Sequence, residues 1–320
     1  MTRILVTGAS GFIGRFVSAS LAEQGYTIRA AVRRLPHPPL AAGIEVVEQP
    51  DLAEAFDWRP LLAGVDKVIH LAGIAHAGGT AAALYDAVNR LGTARLAAAA
   101  ARAAIDHFVF ISSIRAQSGP WADHALSERD APTPTDAYGR SKLAAEAAVA
   151  AAGVPFTILR PVAVYGVGVK GNFALLLRAA LSGWPLPVQD FTNRRSLLSI
   201  DNFVSAVTLV LSSQAARGEI FIVADPGMPP RLADVFAILR RAQGRRPLIL
   251  PMPRHYVKNS LRLIGRGELW HSLGGNLRVD VAKLLACGWQ PAHDTRSGLA
   301  ALAAAASRRT PGGGRTRLAL

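Results

Sequence analysis

The stretch Thr7-Gly8-Ala9-Ser10-Gly11-Phe12-Ile13-Gly14 decides the fold. It follows the apolar run Ile4-Leu5-Val6 and leads into Phe16-Val17-Ser18-Ala19-Ser20-Leu21, an order that reads as buried strand, glycine-rich turn and helix. Gly8 permits a tight turn, Gly11 lets the backbone approach a pyrophosphate, and Gly14 brings the helix against the sheet. The free N–H groups and positive dipole at the helix start then face phosphates. The spacing is G-x-x-G-x-x-G rather than G-x-G-x-x-G, so its meaning rests on the strand before it and the helix after it. With Ser10, Phe12 and Ile13 from the same turn, these glycines are the candidate contacts to a dinucleotide.

Beyond the turn, apolar strands alternate with alanine- and leucine-rich helical runs. The pattern predicts strands near 3–7, 27–32, 44–48, 67–71, 108–111 and 156–159, and helices near 11–24, 53–62, 81–103, 137–152 and 172–181. Strands apolar throughout and joined by helical crossovers imply a parallel sheet covered on both faces. The expected fold is therefore α/β, a doubly wound parallel (Rossmann) sheet, whose ligands sit beyond the carboxyl ends of the strands. Residues 1–165 form the dinucleotide-binding domain, its sheet completed by parts of 195–225. After that the pattern loosens into Pro- and Gly-rich segments, which predicts a smaller substrate-binding lobe over 166–306. The segment 307–320, with Pro311-Gly312-Gly313-Gly314, reads as a disordered tail.

Composition sets the outer limits. In 320 residues half are hydrophobic and 18% charged, which excludes general disorder. One cysteine, Cys287, allows no internal disulfide and suits a reducing cytoplasm. No signal peptide or membrane-spanning run is apparent, and no metal is expected. The net charge of +14 is scattered along the chain rather than gathered in a stripe, which argues against nucleic acid. Such scattered charge reads as an arginine-rich solvated surface, or as one that attracts an anionic, diphosphate-bearing substrate.

The chemistry-bearing residues fall at strand ends. Arg33, at the tip of the second strand, favours a 2′-phosphate and hence NADP over NAD, or is a surface loop arginine. Asp51 caps the following helix or accepts from the adenine amine while Leu52 covers the ring. Leu71-Ala72-Gly73 ends the fourth strand with residues small enough for a cofactor to approach. Asn89, inside an apolar helix, either bridges neighbouring elements or touches the cofactor. Ser112-Ser113 closes the fifth strand, and Asp136-Ala137-Tyr138-Gly139-Arg140-Ser141-Lys142 opens an alanine-rich helix. Tyr138 and Lys142, four apart, share a helix face. A free phenol has a pKa of ~10, and a nearby ammonium stabilises its phenolate. The pair can then pass a proton to or from a hydroxyl or carbonyl oxygen that the serine orients.

Together the glycine turn, Asp51-Leu52, Leu71-Ala72-Gly73, Ser112-Ser113, Tyr138/Lys142, Leu159-Arg160-Pro161 and Arg194-Arg195-Ser196-Leu197-Leu198-Ser199-Ile200-Asp201 resemble the extended short-chain dehydrogenase/reductases of the NAD-dependent epimerase/dehydratase family, over roughly residues 1–300. The resemblance implies Ser113, Tyr138 and Lys142 as the catalytic trio, with Lys142 and Pro161 also at the cofactor. It implies that Arg195 grips a substrate diphosphate, the alternative being an ion pair with Asp201. His76, Ser112 and Asn172 are the other candidate substrate contacts, Asn172 alternatively a helix N-cap.

Departures narrow the activity. Family dehydratases carry an Asp-Glu pair after the strand-end hydroxyl, where this chain has Ile114-Arg115. Family 4-epimerases carry an Asn in the motif after the sixth strand, where this chain has Ala163. Closest in pattern are bacterial reductases of UDP-linked 2-acetamido-2,6-dideoxy-4-hexuloses, which serve surface polysaccharide. The expectation is an NAD(P)H-dependent 4-ketoreductase, cytoplasmic and homodimeric through the Tyr138 helix, acting on a UDP-sugar. The alternatives are a UDP-hexose 4-epimerase with tightly bound NAD, or a non-catalytic dinucleotide sensor or assembly subunit.

Overall fold

The first strand, β1 (Arg3–Thr7), sends Ile4 and Val6 into one hydrophobic cluster and Leu5 into another. All three are fully buried. Alternation with no polar face is what a strand covered on both sides requires. The computed structural model describes residues 1–308 except 76–78, 170, 183, 264, 266, 268–269 and 271–272.

Around β1 runs a seven-stranded parallel sheet made with β2 (Thr27–Val32), β3 (Glu45–Glu48), β4 (Lys67–His70), β5 (His107–Ile111), β6 (Phe156–Pro161) and β7 (Glu219–Val223). The order is β7-β6-β5-β4-β1-β2-β3, so the winding reverses between β1 and β4, where open α/β sheets form their ligand crevice. Helices α1 (Phe12–Glu23) and α5 (Ile200–Ser212) cover one face. Helices α2 (Thr93–Arg102) and α3 (Ala137–Ala151) cover the other. A third cluster, with Tyr165, Phe173, Phe191, Phe236 and Leu299, joins α4 (Gly171–Leu181), α6 (Leu232–Arg241) and α8 (Thr295–Arg308). A further helix, α7 (Arg254–Leu263), lies on the outside of this C-terminal part. None of the described helices is long and apolar enough to cross a membrane.

Two expected helices are corrected. The run 53–62 is helical only at Arg59–Leu62. Pro60 is tolerated only in a first turn, and the Asp57 carboxylate takes the Arg59 N–H at 2.9 Å, so the helix cannot begin earlier. The run 81–103 is interrupted by a π-helical stretch, Asp86–Gly92. The wider turn is tied down by Asn89. Its Oδ1 accepts from the Ile74 N–H at 2.8 Å, and its Nδ2 donates to the Ile74 carbonyl and the Ser141 Oγ, both at 3.1 Å. Asn89 thus pins the segment after β4 onto α3.

Candidate active site

At the switch point, Thr7 Oγ1 and His70 Nδ1 lie 2.6 Å apart, and His70 Nε2 lies 2.9 Å from Thr93 Oγ1. Burial pushes His70 down to about 3, so the ring is neutral and acts as a brace. Thr7 also accepts from the Ala72 N–H at 3.3 Å, which holds Leu71-Ala72-Gly73 against the glycine turn. The packing there leaves no room for a side chain. Gly8 has a φ of +71°, and a Cβ on it would stand 2.7 Å from the Ala72 nitrogen. A Cβ on Gly14 would stand 2.3 Å from the Gly8 carbonyl oxygen.

Helix α1 begins at Gly11 with no side-chain cap and no acidic residue in its first turn, leaving its N–H groups for an anion. The turn, with Gly8, Ser10 and Gly11, forms one side of a cleft of about 210 Å³. Arg33, Gln49 and Asp51 line its far end, and Leu71, Ala72 and Gly73 its floor. Phe12 lies against the Phe16 ring, and both pack on the core beside Ile13.

At the far end Arg33 is exposed and its guanidinium meets Asp51 at 3.3 Å. Asp51 also accepts from the Ala53 N–H at 2.9 Å. Leu52 is buried beneath Gly92, against which it packs. Gln49 escaped the sequence reading. It is 5% exposed, lines this cleft, and its Oε1 has no partner. A buried amide oxygen without a donor is costly, and it suits the exocyclic amine of adenine. The uncapped helix start, the close-packed glycines and the unclaimed Gln49 oxygen all fit a nicotinamide dinucleotide.

The reaction end of the site is built by β5 and α3. Asp136 caps α3, accepting from the Gly139 N–H at 2.7 Å, which places Tyr138 and Lys142 on its buried face. Tyr138 is 9% exposed, its ring 5.7 Å from that of Tyr85. Ser113, extended at the end of β5, hydrogen-bonds the Tyr138 phenol. Burial pushes the phenol up, with Asp136 and Tyr85 adding to the rise; the Ser113 bond and the Arg115 charge oppose it. Lys142 donates to the Ile111 carbonyl at 2.9 Å, with its ammonium 4.7 Å from the centre of the Phe110 ring. Burial pushes Lys142 down to about 8, and Glu146 one turn along pulls it part of the way back.

The charge of Arg115 favours the Tyr138 phenolate, an effect smaller than the burial that opposes it. Lys142 is turned toward Ile111 and the Gly73 side of the cleft. Arg115 pairs with Asp136, and its backbone N–H donates to Ser113 Oγ at 3.2 Å, so it ties the serine to the helix that carries the tyrosine.

Ser112 departs from the substrate role expected of it. Its hydroxyl donates to Glu146 inside a buried network. Glu146 meets Arg160 at 2.5, 3.0 and 3.2 Å, both side chains being 3% exposed, and Arg160 also donates to Gln117. Asn89, described above, spends its amide on Ile74 and Ser141. Pro161 closes β6, paired with Val223.

Arg195 is not paired with Asp201, whose partner is His293 at 3.8 Å. It donates instead to the carbonyls of Pro120 and Gly275, at 3.0 and 3.1 Å. Burial, and then the charge of Arg115, push it down to about 10. His76 and the Asn172 side chain lie outside the described residues.

The model of the NAD dependent epimerase/dehydratase family matches residues 4–224. The chain belongs to that family. Among its relatives, the UDP-glucose 4-epimerase of Vibrio cholerae is 33% identical over 307 residues, 92% of each chain. The ceramide reductase of Caulobacter vibrioides (strain NA1000 / CB15N) is 34% identical over 200 residues, 62% of this chain and 57% of that protein. The solved structure of MoeE5 in complex with UDP-glucose and NAD superimposes with a TM-score of 0.75 at 26% identity, covering 96% of this chain and 99% of that one. Solved structures that share this fold include complexes with NAD.

Proposed function

We propose that the protein is an NADPH-dependent reductase of the C4 ketone of a UDP-linked 2-acetamido-2,6-dideoxy-4-hexulose. The observation that carries this reading is Arg33 at the tip of β2. An exposed guanidinium facing the adenosine end of the cleft suits a 2′-phosphate. The phosphorylated dinucleotide is the cell's reducing pool, and a net reductase must exchange it each turn.

A bound dinucleotide would supply the hydride that reduces C4 of the sugar. Gly8, Ser10 and Gly11 would hold its diphosphate, and Lys142 its nicotinamide ribose. Tyr138, kept protonated by its burial, donates its proton to the oxygen that gains charge at C4. The Ser113 hydroxyl orients the same oxygen, so preplaced donors meet the developing charge. Arg195, backed by Arg115, would take the substrate diphosphate. Arg115 stands where a dehydratase would need an acid, which argues against elimination. We assign the protein to the cytoplasm, as a homodimer packed through α3, with residues 166–306 mostly a substrate lobe.

The second reading is a UDP-hexose 4-epimerase, favoured by the Vibrio cholerae relative that matches 92% of the chain. The test is NADPH and NADH oxidation against a panel of UDP- and dTDP-4-keto sugars. Stoichiometric NADPH consumption supports the reductase; sugar interconversion without added reductant would replace it with the epimerase.

A further inference from the structure

The C-terminal part of the chain carries large apolar side chains that point into water. Trp184 is 78% exposed, Leu248 and Leu250 48% each, Tyr256 57% and Leu263 87%. Trp184, Leu248 and Leu250 are held in one region by bonds to their backbones or to that of Leu186. Arg240, itself buried, donates to the carbonyls of Trp184, Pro247 and Leu248. The Leu186 N–H bonds the Leu248 carbonyl, and the Leu250 N–H bonds the Leu186 carbonyl. Four residues after Leu250, α7 begins. Its Val257 packs on the lobe and Leu261 is half-buried beside it. Tyr256 and Leu263, seven apart and so on one face, look outward on the opposite side.

This apolar crest has a basic border. No carboxylate occurs from Val235 to Leu263, while Arg241, Arg246, His255, Lys258 and Arg262 are all exposed there. A helix with aromatic and aliphatic residues on its crest and cations beside them suits the boundary between headgroups and acyl chains of an anionic bilayer. An exposed tryptophan suits the same depth. A second copy of this face would set cations against cations. Residues 309–320 carry Arg309, Arg315 and Arg317 and no acid, so they do not complement it either.

We propose that this face, Trp184 with Leu248, Leu250 and the outer side of α7, docks the enzyme on the surface of an anionic membrane. The docking is peripheral and does not depend on which sugar is reduced.

The experiment is co-sedimentation of the full chain with phosphatidylcholine vesicles and with vesicles of phosphatidylcholine and phosphatidylglycerol, read together with tryptophan fluorescence. Binding to the anionic vesicles is expected to exceed that to neutral ones by about tenfold and to fall with salt. Trp184 should report it through a blue shift that Trp184→Phe abolishes. Tyr256→Asp with Leu263→Asp should cut binding about tenfold while carbonyl reduction in solution is unchanged, which also shows the variant is folded. Equal binding to both vesicles, or none, overturns the proposal. So does a variant that binds vesicles as before, or one that lowers the molecular mass in sedimentation equilibrium, which would assign the face to a second copy.

Discussion

Removing Arg160 tests whether α3 is anchored by a buried ion pair. In Arg160→Met the Glu146 carboxylate loses its contacts at 2.5, 3.0 and 3.2 Å and keeps the Ser112 hydroxyl bond and the charge of Lys142 one turn away. A carboxylate stranded at 3% exposure escapes by taking a proton. Protonating an acid of ordinary pKa ~4.3 costs about 1.4 kcal/mol for each pH unit above that value. The penalty is therefore ~4 kcal/mol at pH 7 and ~1 kcal/mol at pH 5. The Gln117 oxygen, left without its donor, adds about 1 kcal/mol at either pH. The sign follows from linkage: a folded-state pKa raised above the unfolded one loses stability as pH rises. Urea unfolding should thus show a deficit of ~5 kcal/mol at pH 7 shrinking to ~2 kcal/mol at pH 5. Adding Glu146→Leu should restore most of the pH 7 loss and flatten the pH dependence. An equal deficit at both pH values, or additive losses in the double variant, would refute the buried pair.

Three further outcomes follow from the site. Tyr138→Phe should lower kcat by about a thousandfold while the dissociation constant for NADPH, from fluorescence titration, stays within about twofold; a variant that still turns over removes Tyr138 from the proton-donating role. Lys142 is charged below about 8, whereas burial holds the Tyr138 proton well beyond that, so kcat/KM for NADPH should fall above pH 8; Lys142→Arg should flatten that limb, and an unchanged limb would place its origin elsewhere. Arg33→Asp should move the NADPH-to-NADH ratio of kcat/KM about a hundredfold toward NADH, a charge-assisted bond being worth about 1.5–3 kcal/mol; a change under about threefold would show that Arg33 does not meet the 2′-phosphate.

Legibility in the sequence tracked the distance over which a feature is determined. The turn at 7–14 is local: a strand, three glycines and a helix start lie within one short stretch, and the structure realises them as read. Tyr138 and Lys142 are legible as a pair because a helix period brings them together, and Ser113 because a strand end fixes its place. Arg115 was seen only as a missing acid, since its partner Asp136 is distant in sequence and its effect on Tyr138 exists only once α3 is docked. The Glu146–Arg160 pair and Ser112 were hidden for the same reason. Gln49 carries no motif; only its unpartnered oxygen in the cleft marks it. The π-helical turn at Asp86–Gly92 reads as ordinary helix until Asn89 is seen holding Ile74. The C-terminal part, stitched by long-range contacts such as Arg240 to Trp184, offered little periodicity.

In the proposed reaction hydride leaves the dinucleotide for good and ends on the sugar. The most direct measurement uses NADPH deuterated at the transferable position of its nicotinamide, the UDP-linked 4-keto sugar, and nuclear magnetic resonance of the product. One deuterium is expected at C4 of the sugar for each NADPH consumed. Product carrying only protium at C4, formed while the NADPH remains unspent, would contradict it.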